Sequence, residues 1–172
     1  KLFLHNLPHA AAAYLGFLRG HRLIREALAD RPVRRVVEAV LAEMSEVVVR
    51  RHAIPASAAE AYSRDIIERF SNPLLDDTVT RVAREVLRKL GPGERISGAI
   101  SAALATGIFP EHVCVVAAAA LCYNHPDDPQ SVRLQEMLAA DGIHRVLESV
   151  CGIQNGRVQS TIGRWYDRFI HE

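Results

Sequence analysis

Of the 21 Lys and Arg residues in this 172-residue chain, only Lys1 and Lys89 are lysine. Arginine stays protonated in proteins, whereas a buried lysine can lose its proton, so a lysine in an arginine-dominated chain is a candidate for proton transfer. Lys1 shares its nine-residue segment with Asn6 and His9. An amine, a carboxamide and an imidazole together suit acid–base chemistry on an oxygen whose negative charge grows during reaction. Each residue also has a plainer reading. Lys1 is either a solvated lysine or a general base, and free lysine titrates near pH ~10.4, so a base needs burial or a neighbouring positive charge. Asn6 either caps the helix that follows or donates to a reacting oxygen. His9 is either satisfied within its first helical turn or faces a substrate.

The second group is Arg81, Arg84, Arg88 and Lys89. On one helix ending at Leu90, at about 100° per residue, Arg81, Arg84 and Arg88 fall within a narrow arc and Lys89 lies beside them. Val79, Val82, Val86 and Leu90 take the opposite side. The stripe is either a solvated basic face or an anion site, because guanidinium forks match phosphate and carboxylate. His5, His9, His21 and His52 have no carboxylate partner at ligand spacing, so no metal site is expected.

Positioning these groups falls to helices. Pro8 suits a first turn, so a helix is expected from about Pro8 to Arg19, stopping at Gly20. A short helix follows over 21–30, and Pro32 opens a longer one with apolar residues at helical spacing from Val33 to Val48. Ser57 to Glu60 has capping-box form and starts a helix to Phe70. Asp76, Asp77 or Thr78 caps one continuous helix to Leu90, ahead of Gly91-Pro92-Gly93. Further helices are expected over 95–106, 111–123, 130–141, 143–151 and 156–170. No alternating strand pattern competes.

The chain is long enough for one domain with a proper core. Its net charge of +1 argues against nucleic acid or an anionic membrane as main partner. No apolar run approaches the roughly 20 residues that span a bilayer. Cys114, Cys122 and Cys151 lack CxxC spacing, which suits reduced thiols in a cytoplasmic protein.

Lys1-x4-Asn6-x2-His9, followed by Ala10-x3-Tyr14-Leu15-Gly16, resembles the signature of the polyol-specific long-chain dehydrogenases, the mannitol dehydrogenase family. Arg69-Phe-Ser-Asn72-Pro73, Asp76/Asp77 and the run Arg81-Val-Ala-Arg84-x3-Arg88-Lys89-Leu90 resemble its second block. That run, Gly20-His21-x2-Ile24-Arg25-x-Ala27 and the Asp127-Asp128-Pro129 turn are most similar to members acting on mannitol 1-phosphate. The resemblance runs in order along essentially the whole chain. It implies an all-α, bundle-like C-terminal substrate domain, similar to that of 6-phosphogluconate dehydrogenase, with residues 1–172 forming a single helical domain of a longer enzyme.

The chemistry implied is metal-independent, NAD-dependent oxidation of a secondary alcohol, interconverting a polyol phosphate and a sugar phosphate. By resemblance, Lys1 is the base, Asn6 steadies the reacting oxygen, and His9 bonds that oxygen or orients the lysine. Arg81 and Lys89 match substrate-contacting positions. Arg84 and Arg88 are inferred beside them, since extra guanidinium groups suit a phosphorylated substrate. Two departures stand out: Leu7-Pro8 replaces small residues, and His5 occupies an apolar slot. No GxGxxG loop after a strand is present, so NAD binding is expected to fall to an N-terminal Rossmann domain, and this chain alone to be inactive. Mannitol or arabinitol dehydrogenases and fructuronate or tagaturonate reductases share the Lys-Asn-His motif. A non-catalytic helical sugar-phosphate-binding domain and a plain helical scaffold are the readings outside enzymology.

Overall fold

Two alanine-rich helices set the architecture. In α1 (Leu7–Leu18) every residue from Leu7 to Gly16 is buried except His9, and in α8 (Glu111–Leu121) every residue from Val113 to Leu121 is buried. A helix apolar on all sides belongs in a core. Ala10–Ala13 and Ala117–Ala120 add little side-chain bulk, so neighbouring helices approach closely. The computed structural model describes residues 1–171, and they are helical with no strand.

Around this centre, α2 (Ile24–Ala29), α3 (Arg31–His52) and α5 (Val79–Ala83) pack on α1, and α4 (Ala56–Phe70) packs on α3. Short helices α6 (Val86–Leu90) and α7 (Ser97–Ala105) lead to α8. Then α9 (Pro129–Ser149) bends where Gly142 takes φ +75°, joining the two stretches expected over 130–141 and 143–151. Finally α10 (Gly156–His171) lays Val158, Thr161 and Ile162 against α8. Gly16 permits close packing of α2 on α1, since a Cβ there would meet Ala27 Cβ at 2.7 Å. No described helix is long and apolar enough to cross a membrane. The three cysteines are free, and burial pushes each thiol up to about 12.

Three expectations are corrected. The helical path starts before Pro8: Leu2–Asn6 form a π-helical turn that runs directly into α1. α4 starts one residue before Ser57, with Pro55 at its N-cap and no side-chain cap bond, because the proline ring has no oxygen to accept one. The expected continuous helix to Leu90 is broken into α5 and α6 at Arg84 (ψ 162°) and Glu85 (φ +63°).

Candidate active site

The π turn arranges the first candidate group. Five residues of α-helix turn through ~500°, which would leave Lys1 and Asn6 some ~140° apart. A π turn closes its bond between i and i+5 and so brings residues five apart closer in angle than an α turn does. Here the Asn6 and His5 amides donate to Lys1 O at 3.2 and 3.0 Å, and Leu7 N donates to Leu2 O. His9 follows one α turn beyond Asn6. Lys1 is exposed, and Asn6 makes no capping bond, so its carboxamide is not consumed by the helix start. The plainer reading of Asn6 as a cap is therefore set aside.

Phe70, at the end of α4, forms the wall beside this edge. His9 stacks on it with centroids 4.5 Å apart, and His5 meets it edge-on at 5.4 Å. The polar His5 in an apolar slot thus finds an aromatic partner. Burial comes first in lowering the His5 pKa, followed by the charges of Lys1 and Arg69. His9 is lowered to about 4, again first by burial and then by His5, Arg81, Arg95 and Lys89. Its Nε2 stands 3.1 Å from Asp77 Oδ2, a distance at which a carboxylate would raise the pKa. That contact lacks hydrogen-bond alignment, leaving Nε2 buried without a partner, and Asp77 is already paired with Arg81. His9 is therefore neutral near pH 7.

Asp77 is held by backbone. Ile24 N donates to Asp77 O, and Val79 N donates to Arg22 O, both at 2.9 Å, around the Leu23–Thr78 bridge. Thr78, one of three expected caps, accepts from Arg81 N at 3.2 Å.

The break between α5 and α6 rearranges the basic stripe. It frees backbone groups that a helix would satisfy, and distant side chains take them up. Tyr14 donates to Ala83 O at 2.8 Å, and Asp128 accepts from Glu85 N at 3.2 Å. Gln130 accepts from Arg88 N at 3.1 Å, and Lys89 Nζ donates to Arg84 O. Lys89 is consequently 4% exposed, and burial, then Arg95 and Arg88, lowers it to about 8. Arg81, Arg84 and Arg88 stay exposed. Arg81 pairs with Asp77, and Arg88 with Glu85. The single basic arc is thus not formed: Lys89 turns inward, and two of the three arginines answer acidic neighbours.

Sequence reasoning missed Phe70, the role of Asp77 and Arg95. The motif Asp127-Asp128-Pro129 held a signal for the clamp on the break, but not for its target. Among the described residues no group of three or more His, Cys, Asp or Glu is placed to hold a metal. Nor does any strand–glycine loop–helix unit occur among them to cradle a dinucleotide, so these residues do not fit NAD.

Comparison with known proteins gives a consistent picture. Residues 1–164 match the family model described as the mannitol dehydrogenase C-terminal domain. A mannitol-1-phosphate 5-dehydrogenase of Bacillus velezensis is 42% identical over 154 residues, covering 90% of this chain and 40% of the relative. The enzyme of that name from Bacillus subtilis is 40% identical over 155 residues, with the same two shares. The solved ternary complex of Pseudomonas fluorescens mannitol 2-dehydrogenase with NAD and D-mannitol superposes with a TM-score of 0.79 at 25% identity, covering 99% of this chain and 37% of that one. The chain spans about 40% of the length of these curated relatives.

Proposed function

The chain belongs to the mannitol dehydrogenase family, whose C-terminal domain it matches, and from that premise we propose that it is the substrate-binding and proton-handling domain of an NAD-dependent mannitol-1-phosphate 5-dehydrogenase. The reaction is interconversion of mannitol 1-phosphate and fructose 6-phosphate. Hydride transfer belongs to a dinucleotide-binding domain outside these residues, and the side chains of this domain handle the proton.

In oxidation, the Lys1 amine is the group that takes the proton of the reacting hydroxyl. Asn6 Nδ2 donates to the oxygen as negative charge builds on it, a donor worth most when pre-positioned. His9, neutral and with Nε2 uncommitted, orients the hydroxyl or the lysine. Arg81 and Lys89 contact the remaining substrate oxygens, with Arg84 and Arg88 at the rim. In reduction Lys1 returns the proton.

The observation that supports this reading is the unbroken π-to-α path, which brings Lys1 closer in angle to Asn6 than an α turn would and sets His9 one turn on. The phosphate ester is favoured over free mannitol by relatives at 40–42% identity that bear the phosphate name. In the full-length protein, Lys1→Ala lowers kcat by about 10²–10⁴-fold, the usual loss of a general base, with the far-ultraviolet circular dichroism unchanged. Wild-type turnover by that variant would remove Lys1 from the mechanism.

A further inference from the structure

Arg95 is a cation that the signature motifs do not include, and it lies where a substrate anion has use for it. The turn from Gly91 to Ile96 doubles back on α6: Ile96 N donates to Lys89 O at 3.4 Å, and Gly98 N donates to Glu94 O at 2.7 Å. Two glycines make this return possible. Gly93 takes φ +77°, and a Cβ on Gly98 would sit 2.7 Å from the Gly93 carbonyl. Arg95 is thereby brought back beside Lys89.

The Arg95 side chain is only 17% exposed, and its buried Nε has no hydrogen-bond partner. The carboxylate of Glu94 stands 4.0 Å from that nitrogen, beyond hydrogen-bond reach. Lys89 is 4% exposed and donates to one backbone carbonyl, although an ammonium has three hydrogens to give. Burying two such cations side by side is costly unless an anion joins them. Glu85, by contrast, is committed to Arg88 through both Nε and Nη2, at 2.9 and 2.6 Å. Glu85 is therefore not available to Arg95, and Glu94 beside it is shared with Arg88 at 3.6 Å.

We infer that Arg95 and Lys89 form the subsite for the phosphate of the substrate, with Arg95 the residue that selects phosphate. This rests on the proposed function. A phosphate monoester carries about −1.5 to −2 charges near pH 7 and matches two cations, whereas one carboxylate would leave a buried charge uncompensated. The guanidinium fork suits its oxygens. Arg81 and Arg88, already paired with acids and exposed, are poorer candidates for that selection.

The test uses the full-length protein and compares kcat/KM for fructose 6-phosphate with that for fructose. For Arg95→Gln the ratio falls roughly 10- to 100-fold, mainly through KM, the effect of losing one charge-assisted contact. Arg95→Lys recovers part of it. A wild-type protein with no preference for the phosphate ester, or with a preference for fructuronate, overturns both this subsite and the proposed substrate. A preference unchanged in Arg95→Gln overturns the subsite alone. Should turnover be lost altogether, melting with inorganic phosphate decides: a shift in wild type that disappears in Arg95→Gln supports the subsite, and equal shifts overturn it.

Discussion

At the scale of single residues, the site is organised by what is left unpaired. His9 keeps a buried Nε2 without a partner although a carboxylate stands 3.1 Å away, because Asp77 is turned to Arg81. Its pKa of about 4 in the fold lies below the ordinary ~6.5 of the unfolded chain. The unfolded chain therefore takes up this proton first. Above about pH 6.5 His9 has no effect on stability, and as pH falls from there toward 4 the fold loses on the order of 3 kcal/mol. Urea titrations across that window will show a steeper acid-side loss in wild type than in His9→Gln. Parallel profiles would refute burial of a neutral imidazole. The Lys1, Asn6 and His9 set was legible beforehand because all three lie on nine consecutive residues. Phe70 and Asp77 were not legible in their roles, because they reach His9 from other elements.

At the scale of elements, the decisive feature is the interruption between α5 and α6. Residue types from Val79 to Leu90 pattern as one amphipathic helix, and no proline or glycine lies inside it. The break survives because Tyr14, Asp128, Gln130 and Lys89 satisfy the groups it exposes. Asp128 carries one of these duties by accepting from Glu85 N, and it also caps α9 by accepting from Gln130 N. Asp128→Ala is expected to cost about 2 kcal/mol in chemical denaturation, the sum of a lost N-cap and an unsatisfied amide. Asp127→Ala, at an exposed neighbour, stays within ~0.5 kcal/mol. Equal effects would deny Asp128 its role as a clamp. Because the clamp sets where Lys89 sits, KM rises in Asp128→Ala more than kcat falls.

At the scale of the molecule, an alanine-rich centre holds the N-terminal edge, the α5–α6 break and the Gly91–Ile96 turn in fixed relation. The described residues contain no dinucleotide cradle, and the chain covers about 40% of its curated relatives. The polypeptide 1–172 mixed with NAD and mannitol 1-phosphate is expected to give no NADH. Turnover by this polypeptide would place a cofactor site within it.

The sequence alone determined the helical class and most helix positions, since periodicity and caps are local, and it put forward the candidate Lys1–Asn6–His9 constellation. The π turn that runs through that constellation, the inward turn of Lys89 and the placing of Arg95 were decided by tertiary structure. The break that turns Lys89 inward has long-range causes: Tyr14 meets Ala83 across 69 residues, and Asp128 meets Glu85 across 43. A helix pattern read within a window of a few turns has no access to hydrogen bonds that begin that far away.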